Sequence, residues 1–152
     1  MSILRIVRLV TAAALGAVAI VHAAWGRGST FPFADATELT DAVVGRPSAS
    51  VPAPTACFAV AGALVTAAAV VAGVPFRPER TRRQAAAVVT GVLAGRGALG
   101  LAGRTSLVSG GSTSPRFVRN DRRIYAPLCL ALAAGSALAV ARRTTSGGSG
   151  HG

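Results

Sequence analysis

The chain has 152 residues, 51% hydrophobic and only 14% charged, with a mean hydropathy of +0.53. Soluble domains average roughly 25% charged residues, so the composition excludes an ordinary cytosolic enzyme and indicates a membrane protein. All 16 basic residues are arginine, set against five acids, Asp35, Glu38, Asp41, Glu79 and Asp121, for a net charge of +11. The arginines flank apolar runs without the interleaved aromatics that stacking on bases requires, so nucleic acid is not an expected partner.

A hydrocarbon core about 30 Å thick needs about 20 apolar helical residues, and four stretches qualify. The first runs from Leu9 to Gly26, behind Arg5 and Arg8. The same letters also fit a signal peptide, with a cleavage-like Val21-His22-Ala23; cleavage would leave three spans and remove His22. The second occupies about Pro54 to Val74, after Pro52 and Pro54. The third, about Gln84 to Gly103, is interrupted only by Arg96, and the fourth, Ile124 to Ala141, is closed by Arg142 and Arg143. Helices are expected, because lipid cannot satisfy open backbone groups and the runs lack the alternation of barrel strands. The expected fold is an all-α bundle of four transmembrane helices, one domain over residues 1–143, followed by a disordered or appended Gly/Ser tail, 144–152.

Orientation follows the arginines. Arg77, Arg80, Arg82 and Arg83 crowd the short loop after the second span, and each terminus adds a pair, which places both termini and this loop on the cytoplasmic side of the membrane. The bias is eight arginines against seven on the other side, so the assignment leans on even topology and on the density of that loop. Clusters beside the spans set topology or touch anionic headgroups. In the third span Gly91 and Gly95 form a GxxxG pair, read as intramolecular packing rather than a dimer face. A homo-oligomer is therefore possible but not indicated.

The first outer connection holds Asp35, Glu38 and Asp41 spaced three apart on one side of a short helix, to lie on the membrane surface or fold over the bundle mouth. The second, Thr105 to Arg119, opens with a flexible Ser/Gly/Thr run. Cys57 and Cys129 fit neither a disulfide scaffold nor a zinc site; a bridge between them is geometrically conceivable, and two small buried thiols are the expectation. No motif implies a metal or a cofactor.

Arg96 is the most informative residue. It lies roughly 18 Å along a helix entering at Gln84, inside the hydrocarbon, where an arginine costs on the order of 3 kcal/mol and so requires a partner or water. His22 and Trp25 at the end of the first span, and Asp121, Tyr125 and Cys129 at the start of the fourth, come to similar depth. Two arrangements are compatible with this. In one, Arg96 pairs with Asp121 and fixes helix register, with Trp25 and Tyr125 as interfacial anchors. In the other, an outward polar pocket uses Arg96 and Arg104 to hold an anionic or polar headgroup, with His22 and Tyr125 as proton donors or acceptors. Pro127 suggests that the fourth helix starts about there.

His22-Ala-Ala-Trp25-Gly26, Gly95-Arg96-Gly97 and Phe117-Val-Arg-Asn-Asp121-Arg-Arg-Ile-Tyr125-Ala-Pro127-Leu-Cys129-Leu together resemble a bacterial family of small four-helix membrane proteins known only as a domain of unknown function. The resemblance extends to Arg143 and implies that the first segment is kept as a span. It implies no activity. The expected role is therefore non-enzymatic, binding a lipid-like amphiphile among the membrane lipids or serving as a partner subunit. The alternative is a small membrane-embedded enzyme for an amphiphilic substrate, with acid-base chemistry at His22 and Tyr125 and Arg96 stabilising negative charge.

Overall fold

The computed structural model describes residues 3–45, 52–74, 78–109 and 114–141. Arg46, Arg77, the 110–113 part of the Ser/Gly/Thr run, Arg142, Arg143 and the tail lie outside the described residues. In chain order the elements are α1 (Ile3–Gly26), α2 (Ala36–Leu39) continued by a π turn (Thr40–Val44), α3 (Pro54–Ala72), α4 (Glu79–Leu101), α5 (Ser106–Ser109), α6 (Pro115–Asn120) continued by a second π turn (Asp121–Tyr125), and α7 (Ala126–Ala141). No strand occurs among the described residues.

Three of these helices, α1, α3 and α4, are long and apolar enough by length and composition to cross a membrane. The outward surfaces are apolar: Ile20, Val65, Val88 and Val92 are all more than half exposed. The residues withdrawn from the surface include Thr11, Arg82, Thr105, Asp121 and Ser136. A soluble amphipathic helix arranges its faces the other way round.

Packing is pairwise. α1 lies against α3 and α7, α4 lies against α7, and α3 makes smaller contacts with α4 and α7. Leu15, Ala67, Val71, Leu132 and Ala139 form the main apolar cluster, so α1 supplies a wholly buried leucine to it. Small residues permit the close approaches: Gly135 stands where any Cβ would collide with Thr11, and a Cβ on Gly97 would lie 2.6 Å from Leu130 Cγ. The expected packing pair, Gly91 and Gly95, faces open space instead, with no atom within 4 Å of where their Cβ atoms would be. Where one face of α4 carries Gly97 and Gly100 against α7, Gly91 and Gly95 necessarily point elsewhere.

Two further expectations change. The last helical run begins at Pro115 rather than near Pro127. Proline lacks an N–H and clashes with the carbonyl four residues back, and the wide π turn directly before Pro127, closed by Ala126 N–H donating to Asp121 O, lets the helix continue through it. In the basic loop, Arg82 is not a headgroup arginine; it is 6% exposed and donates to both carboxylate oxygens of Glu79, at 2.7 and 2.9 Å. At the same end Arg8 donates to Ala72 O (2.5 Å) and Val71 O (3.3 Å), capping the carbonyl end of α3, where a cation is favoured.

Candidate functional site

The site is built where α4 ends. Gly103 takes a left-handed conformation, φ +69°, and Arg104 N–H donates back to Leu99 O at 2.9 Å. This six-to-one closure is a Schellman turn, for which glycine is the favoured residue. It folds the chain back so that Thr105, 2% exposed, returns to the α4–α7 seam.

Across that seam stands Asp121, the first residue of the second π turn and 0% exposed. At about 3.6 residues per turn, positions five apart on an α-helix point to different faces. A π turn closes between residues five apart, and so Asp121 shares a face with Ala126, which abuts Gly100 of α4. The carboxylate accepts two charge-assisted or hydroxyl hydrogen bonds: Arg96 Nη2 donates to Oδ1 at 2.6 Å and Thr105 Oγ1 donates to Oδ2 at 2.7 Å. Gly100 is required for this closure, since a Cβ there would lie 2.8 Å from Asp121 Oδ2 and 3.0 Å from Arg96 Nη1. The pair is asymmetric. Its anion is sealed, whereas the Arg96 side chain is 26% exposed, and Nη1, itself buried, has no hydrogen-bond partner among the described residues.

The remaining candidates sit elsewhere. His22 Nδ1 bonds to the Val18 carbonyl at 2.9 Å, which can only accept, so this nitrogen carries the proton. The ring tilts against Trp25 at 5.0 Å, and Trp25 Nε1 donates to Phe31 O at 2.7 Å. Tyr125 OH donates to Ala42 O at 3.3 Å, with its ring 6.5 Å from Phe117. Arg104 is exposed beyond α4. Arg96 and Asp121 thus come together with Thr105, a residue the sequence reading missed, while His22 and Tyr125 are each held by a backbone carbonyl of a different segment. Both cysteines are free thiols, Cys57 buried and Cys129 partly so, and the described residues hold no cluster of metal-ligating side chains.

The first connection, between α1 and α3, folds over this end of the helices. Asp35 caps α2 by accepting from Glu38 N–H, and the Glu38 carboxylate accepts from Ala34 N–H, both at 2.8 Å; this is a near relative of the capping box. The other Glu38 oxygen pairs with Arg116 of α6. That guanidinium, and then the Ala34 N–H, hold the Glu38 carboxyl below the usual carboxylate range. Ser114 N–H donates to Gly45 O at 2.7 Å and its hydroxyl to Asp41 O at 3.1 Å. Leu39 packs with Trp25 and Cys57. The two connections are therefore fastened to each other and to α1 and α3.

The profile of one protein family, described as "Protein of unknown function (DUF3995)", matches residues 15–136. No curated protein and no solved structure matches the chain significantly.

Proposed function

The chain belongs to this family of unknown function, and from that premise and the geometry of the α4–α7 seam we propose a multi-pass protein that holds a lipid-like amphiphile without catalysing a reaction on it. In this reading α7 is the fourth span. With its preceding π turn it is about 30 Å long at 1.5 Å per residue, enough for the hydrocarbon core. Both termini lie in the cytoplasm of a bacterial cell, and the seam lies toward the outer leaflet of the plasma membrane. The placement of Leu15 in the core supports retention of α1 as a span.

The carrying observation is the asymmetry of the ion pair. Asp121 is inaccessible, whereas the Arg96 side chain is partly exposed and its buried Nη1 has no hydrogen-bond partner among the described residues, which leaves a donor suited to a carboxylate, phosphate or ester carbonyl. The separate engagements of His22 and Tyr125 favour binding over acid-base chemistry. The test compares co-purified lipids of the wild type and the Arg96→Leu/Asp121→Leu double variant by native mass spectrometry. An amphiphile retained by the wild type and absent from the double variant supports the reading; identical lipid profiles refute it and favour a role as a partner subunit.

A further inference from the structure

A second cationic feature lies on the α6–α7 run. Pro115, Val118, Arg119, Arg122 and Arg123 line a shallow, open concavity of about 500 Å³. These residues recur at i, i+3, i+4, i+7 and i+8, one face of a helix. All three arginines are exposed, and the Arg122 guanidinium folds over Gly103, where a Cβ would stand 2.5 Å from Nη2.

Among the described residues no carboxylate forms an ion pair with them. Of its five acidic side chains, Asp121 is sealed against Arg96 and Thr105, Glu38 is paired with Arg116, Glu79 binds Arg82 and Arg83, and Asp35 caps α2. Asp41 lies in the first connection, where Arg116 is the cation that feels its charge. Three guanidiniums with no carboxylate partner among the described residues thus share one exposed patch with Pro115 and Val118, at the start of an apolar helix whose first turns expose Ile124 and Leu128, 55% and 40%. A soluble anion meets the charges alone; a phospholipid, whose headgroup sits at the end of an apolar span, matches both the charges and the helix that follows them.

We propose that the Arg119–Arg122–Arg123 patch binds the phosphate of an anionic phospholipid headgroup. Guanidiniums engage phosphate oxygens in bidentate fashion. The proposal rests on α7 spanning the membrane, as in the reading above, but uses a different face of the chain from the Arg96 seam.

The full-length protein in a neutral detergent is titrated with phosphatidylglycerol, phosphatidylcholine or inorganic phosphate, and bound species are counted by native mass spectrometry. Phosphatidylglycerol is expected to bind in preference to phosphatidylcholine. The Arg119→Gln/Arg122→Gln/Arg123→Gln variant should weaken it roughly 100-fold, about fivefold per arginine, as an interfacial cation near anionic lipid contributes. Its melting temperature should be unchanged, because the three side chains are exposed. The Arg5→Gln/Arg80→Gln variant, which removes two exposed charges at the opposite end of the long helices, should leave binding within about twofold, since exposed charges beyond a Debye length are screened. The Arg119→Lys/Arg122→Lys/Arg123→Lys protein separates net charge from bidentate geometry and is expected to bind at an intermediate level.

Equal binding of the two lipids, full retention by the triple Gln variant, an equal loss in the Arg5/Arg80 control, or inorganic phosphate competing as strongly as the lipid would each overturn the proposal. The Arg96→Leu/Asp121→Leu protein keeps the patch intact. If phosphatidylglycerol binding disappears there and persists in the triple Gln variant, the lipid belongs to the Arg96 seam and only the patch assignment fails.

Discussion

Removal of Asp121 is the most incisive perturbation of the α4–α7 seam. The Asp121→Leu substitution strips the Arg96 guanidinium of its 2.6 Å partner and the Thr105 hydroxyl of its 2.7 Å acceptor at once. Breaking a buried pair by deleting one partner costs about 3 to 5 kcal/mol. Arg96 is one-quarter exposed and recovers part of its hydration, so about 3 to 4 kcal/mol is expected for Asp121→Leu. Arg96→Leu is expected to cost a similar amount, because it leaves a carboxylate that is 0% exposed with Thr105 as its remaining polar contact. The Arg96→Leu/Asp121→Leu double variant removes both charges and should regain at least half of the summed loss. The measurement is thermal or denaturant stability in one detergent, analysed as a double-mutant cycle. A coupling energy near zero would refute the pairing argument. A stabilised Arg96→Leu protein would refute it as well and would point to a hydrated pocket in which the charge was an expense.

Four further outcomes are expected. Gly97→Ala and Gly100→Ala should each destabilise by about 1 to 3 kcal/mol through overpacking, whereas Gly91→Ala and Gly95→Ala, in open helix surface, should be neutral or stabilising by up to about 1 kcal/mol; the same melts decide it. Arg8→Gln should cost about 2 kcal/mol, within the range for hydrogen bonds made by a charged group, because two carbonyls at the end of α3 lose their donor. Glu38 has a lowered folded pKa through Arg116, so its contribution is complete above the ordinary glutamate value of about 4.3 and is lost as pH falls through the folded value; melting temperature against pH should be flatter on the acid side in Arg116→Gln than in the wild type. After replacement of the native cysteines, a Ser109→Cys protein should be labelled in intact cells and a Thr81→Cys protein only after the membrane is opened; the reverse pattern overturns the orientation.

Much of the architecture was legible because its causes are local. Apolar length between arginines marks the helices, Gly73 and Gly103 mark carbonyl-end turns, and the cost of Arg96 in hydrocarbon demands a partner for which Asp121 is the one acid at similar depth. The capping arrangement of Asp35 and Glu38 carries a three-residue spacing that could have been read as a helix start, although its tie to Arg116 could not.

What the tertiary structure decided is which face each helix turns inward. α3 and α7 are apolar nearly all round, and in the apolar part of α4 the Gly91/Gly95 and Gly97/Gly100 pairs are equally small, so it is the partner helix that distinguishes the two pairs. The same holds for the polar residues. Thr105 joins Asp121 because the chain reverses at Gly103, and Asp121 faces α4 because the π turn changes the helical register before Pro127. Of the two residues close to Arg96 in predicted depth, His22 turns to the Val18 carbonyl of its own helix and Tyr125 to the Ala42 carbonyl of the first connection. Depth along a helix is a property of the sequence alone; rotation about its axis is fixed only by what lies against it.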